Sequence, residues 1–395
     1  MKTLRTKVVA TVLAAGLLLT TPAMAVAGHP ARGALVSQEL VQTLDQSDLK
    51  GAFGPFSDSR AKYGVDAYRV VYRTIDANGR PTTASGLVAL PRRAGSPRVV
   101  SYTHGTRTGR DDVASMTPET MDRPAVLLIA SAGYAAVAPD YLGLGAGPGF
   151  HPYGDKASEA TASVDLLKAA REFAARQHRK LDRDVYLTGF SQGGHAAMAL
   201  GKALRDGADP GSRVRGLAPI NGPYDVQHAE LPGVLDNGEV APETGTFYLA
   251  YWTVSMNRLH RIYDRPEEVF NPGYLGVEAL FDGSLGEDKI FPQLPPRPEL
   301  LFTPQYIERM RHPAGGLLDA IRATDGTCSW RVTVPIRLFA ARGDTDVTIT
   351  NAKHCQAELA RRGVEAPVTD LGGIDHYASF FQALPQVLGW FDGLK

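Results

Sequence analysis

The chain has 395 residues, 44% apolar, 21% charged and 8% aromatic, a composition that supports a large buried core and argues against disorder. Its 42 basic and 42 acidic residues balance, so nothing in the charge favours nucleic acid or an anionic membrane as partner. The length allows two or three domains of about 150 residues, though α/β folds of this size often form one unit.

Residues 1–25 differ from the rest. Lys2, Arg5 and Lys7 precede the apolar run "VVATVLAAGLLL", and "TPAMA" ends in the small-x-small pattern Ala23-Met24-Ala25. This is the pattern of an export signal peptide, cleaved after Ala25 or, alternatively, after Ala27. The run is too short to span a bilayer comfortably and no charged stop follows, so no stable membrane anchor is expected. No cysteine lies near the cleavage site, so a lipid anchor is not supported either. Without the three basic residues the balance is 39 against 42, a net −3.

Residues 36–53 have helical spacing. Two strand-like runs in 67–91 flank Asn78-Gly79, a strong hairpin signal. An apolar run at 98–109 ends in a glycine turn. Residues 125–147 read as helix, glycine turn, buried strand and loop, and 158–176 as an amphipathic helix. "DVYLTGFSQGGHAAMALGKALRD" (184–206) reads as strand, turn and helix, and 214–226 as another short strand and loop. Later come a strand in 335–349, a helix in 351–363, and a strand then a helix in 366–381. Strands alternating with helices predict a mostly parallel central sheet covered on both faces, with the hairpin adding antiparallel edge strands. Residues 227–326 break the alternation. They are rich in Pro, Gly and aromatics, contain helical pieces, and read as one insertion over the carboxyl end of the sheet. Cys328 and Cys355 are an even pair, which in an exported protein predicts a disulfide contributing about 3–4 kcal/mol in the chain-entropy model.

The corner at Gly189-Phe190-Ser191-Gln192-Gly193 fits G-x-S-x-G between a buried strand and an apolar helix. A nucleophile there needs a strained backbone to lift its hydroxyl clear of the sheet, and side chains at either glycine would collide across the turn. The helix that follows points its positive end at the site, and the Gln192 N–H is one candidate oxyanion donor. A serine hydroxyl needs a base, and the expected chain order is Ser, acid, His. His376, on the glycine-bearing loop after the last predicted strand, is the expected base. Asp346 is the preferred acid, fourth in a G-x-x-D run from Gly343, with Asp344 as the alternative. The second oxyanion donor is expected from the Thr106 N–H, in the turn His104-Gly105-Thr106. His195, four residues past Ser191, reads as a packing or capping residue. His104 reads as a turn residue. Asp140 and Tyr141 end a strand at the same rim, with a structural role at least as well supported as a place in the pocket.

The set "SYTHGT", "APDYLGLG", "HPY", "GFSQGG", "RGDTDV" and "DH" resembles the α/β-hydrolase superfamily, in its secreted lipase/esterase branch, over about residues 67–390. The resemblance implies an α/β-hydrolase fold, Ser191 as nucleophile, Asp346 as acid, His376 as base, and N–H donors on Thr106 and Gln192. It also implies that 227–326 is a largely helical cap that shapes the substrate pocket. The chain departs from the family after the acid, where Ile349-Thr350 replaces a frequent Val-Pro. There is no H-E-x-x-H, no clustered Cys/His set and no phosphate loop, so neither metal nor cofactor is expected. The expected activity is hydrolysis of small-molecule or lipid carboxylic esters through an acyl-enzyme. A peptidase or amidase on the same fold is the alternative, and a non-catalytic binding module is a third reading.

Overall fold

A computed structural model describes residues 31–394. The expected export signal lies outside the described residues. The order of elements is β1 Leu35–Leu44, β2 Val65–Ile75, β3 Pro81–Pro91, β4 Val99–Thr103, α1 Asp122–Ser131, β5 Ala135–Pro139, α2 Lys156–Arg176, β6 Asp184–Phe190, α3 Gln192–Arg205 and β7 Arg213–Ile220. A helical segment follows: a π-turn Val226–Glu230, then α4 Leu231–Leu235, α5 Pro242–His260, α6 Glu287–Ile290, α7 Pro298–Leu301, α8 Pro304–Arg311 and α9 Gly315–Thr324. The chain returns to the sheet with β8 Leu338–Ala340, α10 Ile349–Ala360, β9 Val368–Asp370 and α11 His376–Gly393.

The nine strands form one sheet in the order β1-β2-β3-β5-β4-β6-β7-β8-β9. The first three strands and the β3–β5 pair are antiparallel, and every later pair is parallel. The hairpin predicted at Asn78-Gly79 joins β2 to β3, with Ile75 paired to Pro81 and Gly79 at φ 79°. The parallel strands carry almost no polar outer face. β4 and β5 are buried at every position, as strands covered on both sides must be. One apolar core packs α2, α3 and α10 on one face, with Phe173, Leu187 and Leu200 among its members. The other packs α1 and α11, with Tyr102, Phe190 and Phe380.

One expected helix is a strand. Residues 36–53 form most of edge strand β1, then a 3-10 turn at Gln46–Asp48. The pairing of β1 with β2 slips at Leu35/Ser37 and again at Leu40/Gln42. Each slip resets the two-residue alternation of faces, so apolar positions fall at spacings that mimic a helix. The segment between β7 and β8 has its own apolar core, in which Phe247 stacks on Phe291 at 4.3 Å and Tyr251 on Phe281 at 4.9 Å. Cys328 and Cys355 are disulfide-bonded, with Cα atoms 5.4 Å apart and a sequence separation of 27. The bridge ties the end of this segment to α10.

Candidate active site

The site begins at the junction of β6 and α3. Ser191 has φ 57° and ψ −123°, a left-handed conformation that costs a non-glycine residue on the order of 1–3 kcal/mol. The turn closes because the backbones nearly touch. A Cβ on Gly193 would lie 1.9 Å from the Thr103 carbonyl oxygen, and one on Gly189 would lie 2.2 Å from the Gly193 carbonyl oxygen. The Ser191 N–H donates to the Ile220 carbonyl at 3.0 Å, which anchors the corner to β7. Ser191 is 4% exposed and lines an internal cavity.

His376 is the first residue of α11, and its imidazole packs on the Phe190 ring with centroids 4.5 Å apart. The ring therefore lies beside the residue that precedes Ser191. Its Nδ1 stands 2.6 Å from Asp344 Oδ2. A carboxylate accepts, so Nδ1 carries the proton and Nε2 carries the lone pair. Nε2 is buried and bonds to no protein group among the described residues.

The acid at the imidazole is Asp344, where the sequence favoured Asp346. Asp344 is 3% exposed and is held on all sides. Its Oδ1 accepts from the backbone N–H groups of Asp346 and Val347 at 2.8 and 3.0 Å, and its Oδ2 also accepts from Asn221 Nδ2. Asp346 instead lends its backbone N–H to Asp344, and burial raises its own carboxyl above the ordinary range. The register follows from Gly343. A Cβ there would lie 2.5 Å from the Gly373 carbonyl carbon, so the acid loop touches the loop that leads to His376 at this residue. The side chain one position later is the one that reaches the imidazole, and two positions further the chain has turned back. Asn221 also donates to Ser379 Oγ, and Ser379 Oγ donates to the His376 carbonyl. Neither residue was singled out in the sequence.

Thr106 follows β4 on the turn that abuts the elbow. A Cβ on Gly105 would lie 3.4 Å from Ser191 Cβ. Tyr141, itself at φ 67°, donates to the His104 carbonyl at 3.1 Å, Thr106 Oγ1 meets the Tyr153 hydroxyl at 2.9 Å, and Arg107 Nη1 donates to the Thr106 carbonyl at 2.6 Å. Arg107 in turn bonds to Asp122, which also accepts from Tyr102. Asp140 accepts from Ser85 and Ser115 and so braces the strand end rather than opening into the cavity. Among the described residues, no backbone hydrogen bond uses the N–H of Thr106 or of Gln192.

Beneath the elbow lies a buried polar chain. Gln192 Nε2 donates to His151 Nε2 at 2.9 Å and to Glu159 Oε1 at 2.8 Å. Glu159 Oε2 meets His195 Nδ1 at 2.8 Å, and His195 Nε2 meets the Thr324 carbonyl at 2.8 Å. Both ring nitrogens of His195 face acceptors, an arrangement that favours the doubly protonated ring beside Glu159. Its pKa is raised because that partner outweighs the burial opposing the charge. His151 takes the opposite form. Its Nδ1 donates to the Leu142 carbonyl at 3.0 Å and its Nε2 accepts from Gln192, so it is neutral, with burial pushing its pKa down to about 4. His195, expected only to pack or cap, is thus half of an ion pair that fixes the residue after Ser191. Glu159 lies 33 residues from Gln192 and 36 from His195, with no motif to announce it.

The Ser191 cavity has about 70 Å³ open to water-sized molecules and is walled by residues from both sides of the elbow, among them Tyr153, Tyr248, Leu249, Trp252 and Val347. Among the described residues, no three His, Cys, Asp or Glu side chains converge to hold a metal ion, and no helix is long and apolar enough to cross a membrane.

No protein-family model matches the chain, and no curated protein sequence does. Solved structures match closely. The rice cell wall degrading esterase LipA from Xanthomonas oryzae superposes with a TM-score of 0.84 at 27% identity, covering 92% of this chain and 99% of that one. A protein of Legionella pneumophila gives 0.84 at 28% identity, covering 91% and 97%. Candida antarctica lipase A gives 0.66 at 18% identity, covering 92% and 83%, and bears on the fold alone. With the sheet order, the elbow and these likenesses together, the chain belongs to the α/β-hydrolase superfamily.

Proposed function

We propose that the protein is an exported serine hydrolase of carboxylic esters, with Ser191 as nucleophile, His376 as base and Asp344 as the acid that orients it. The observation that carries this reading is His376 Nε2. It is buried and has no protein partner among the described residues, while the ring's other nitrogen is pinned 2.6 Å from Asp344. The strained serine of the elbow is the hydroxyl it serves. The Ser191 hydroxyl attacks the ester carbonyl carbon and gives its proton to Nε2. The oxyanion forms between the N–H groups of Thr106 and Gln192. The tetrahedral species collapses, the C–O bond to the alcohol breaks, and Nε2 returns the proton to the departing alkoxide. Water then repeats the sequence on the acyl-enzyme, and the carboxylic acid and free serine result. Asp344 stabilises the imidazolium formed in each half.

Carboxylic esters are the favoured substrates because the cavity at Ser191 is mostly apolar and because an esterase covers nearly the whole chain at 27% identity. The helical segment from 226 to 324 serves as the cap, since it supplies much of that wall. Export fits the leader pattern of residues 1–25 and the Cys328–Cys355 bridge, which belongs to oxidising compartments. The test is hydrolysis of p-nitrophenyl esters and of aminoacyl anilides by the wild type and Ser191→Ala. Turnover is expected on the esters, with a loss of at least about ten-thousandfold in the variant. Retained ester turnover in Ser191→Ala, or anilides cleaved faster than esters by the wild type, overturns the reading.

A further inference from the structure

The Ser191 cavity is walled chiefly by Val226, Val234, Val240, Leu249, Trp252 and Val347, yet Glu230 also lines it. Three other polar side chains on the wall are engaged within the protein, while Gln192 uses only its amide nitrogen and its buried Oε1 has no partner among the described residues. His195 uses both nitrogens, Trp252 Nε1 donates to Thr324 Oγ1 at 2.9 Å, and the Tyr153 hydroxyl meets Thr106. Glu230 adds a carboxyl to this wall. Its Oε1 accepts from Asn351 Nδ2, and no protein group bonds its Oε2 among the described residues. Asn351 is itself fixed from the other side, because its Oδ1 accepts from the Asp225 N–H at 3.2 Å. A carboxyl is thus held by one oxygen at the edge of an apolar chamber that also holds the nucleophile.

We propose that Glu230 is a specificity-determining residue, and that it hydrogen-bonds a hydroxyl group on whichever arm of the ester enters this cavity. The proposal rests on the ester-hydrolase reading above. The physical reason is the asymmetry of burial. Leaving a carboxyl oxygen against an alkyl chain costs its desolvation, whereas a substrate hydroxyl satisfies it. The surroundings favour a neutral guest over a cation. Burial above all, with the nearby Asp344, Asp325 and Asp346 carboxyls, pushes its pKa up to about 8 against the lowering effect of the Asn351 hydrogen bond, so it holds its proton far more readily than an ordinary glutamate. In that state it both donates to and accepts from a hydroxyl.

The hydroxyl has two sources, the acyl chain and the alcohol. Two isosteric pairs separate them: p-nitrophenyl heptanoate against the ω-hydroxyhexanoate, and pentyl hexanoate against the ω-hydroxybutyl ester. Wild type is expected to prefer the hydroxylated member of one pair by about tenfold or more in kcat/KM, and that pair identifies the buried arm. Glu230→Leu is expected to abolish or reverse the preference, while Glu230→Gln, which keeps hydrogen-bonding capacity, retains most of it. No hydroxyl preference in wild type on either pair overturns the proposal without any variant, as does a preference for an ω-ammonium ester over both. A Glu230→Leu protein that loses both members of a pair equally also overturns it. Activity surviving in Ser191→Ala, by contrast, sinks the ester-hydrolase reading itself and is scored separately.

Discussion

The elbow and the cap obey different rules. At the elbow, backbone meets backbone. Thr103, Gly189 and Gly193 approach so closely that a single methyl group is excluded, and Ser191 is forced to a positive φ. In the segment from Val226 to Thr324, side chain meets side chain. Its helices are mostly four to ten residues long, several begin with Pro, and their order comes from stacked aromatics such as Phe247 on Phe291 at 4.3 Å. The first kind of constraint admits one residue type per position. The second accepts any set of side chains that fills the volume. On the reading proposed above, the chemistry falls to the rigid junction and the choice of substrate to the adaptable wall, and each assignment can be broken separately.

The largest effect is expected at the acid. Asp344→Asn leaves the shape of the loop but removes the acceptor that fixes the His376 tautomer, and kcat on p-nitrophenyl esters is expected to fall about ten-thousandfold. Asp346→Asn is expected to stay within about tenfold, because the backbone N–H of residue 346, which supports Asp344, is unchanged. Steady-state kinetics on the two purified variants decide the matter, and a larger loss at residue 346 would move the acid back to the position the sequence favoured.

A smaller effect is expected beneath the elbow. Glu159→Gln keeps an acceptor for Gln192 but removes the charge that pairs with His195. The polar chain beneath the elbow is then held less tightly, and kcat is expected to drop about 10- to 100-fold with KM changed by less than about threefold. A variant whose kcat stays within twofold while its fold is intact would show that the elbow holds the oxyanion donor without help from this ion pair. The split between kcat and KM matters, since a cavity distorted as a whole would move both.

The smallest effect is in the pH dependence of stability and belongs to the cap wall. Glu230 takes up its proton more readily folded, with a pKa near 8, than its ordinary value of 4.5. Between those two values the folded state binds more protons than the unfolded one, so stability falls as pH rises through that window. Wild type is expected to lose on the order of 1–3 kcal/mol relative to Glu230→Gln between about pH 4.5 and 8, measured by urea unfolding. Parallel curves for the two proteins would mean that Glu230 ionises freely.

This contrast also explains what the sequence made legible. The elbow, the hairpin at Asn78-Gly79 and the alternation of strands and helices were readable because each is a local demand on the backbone. Edge strand β1 was not, because two slips of register disguised its period. The carboxyl that meets His376 is Asp344, the alternative rather than the preferred Asp346, because that position depends on Gly343 touching Gly373, a contact 30 residues away in sequence. Glu159, His151, Asn221 and Ser379 left no signal, since nothing local requires an acid, an amide or a hydroxyl at those positions. They matter only because the fold brings Glu159 and His151 under the corner and Asn221 and Ser379 against Asp344 and His376.

The most direct test is covalent. Reaction with a fluorophosphonate ester, followed by digestion and mass spectrometry, should place one phosphonyl group on the peptide that contains Ser191. His376→Ala should remain unlabelled under the same conditions. A label on any other residue, or equal labelling of Ser191 when the imidazole is gone, would contradict the account at its centre.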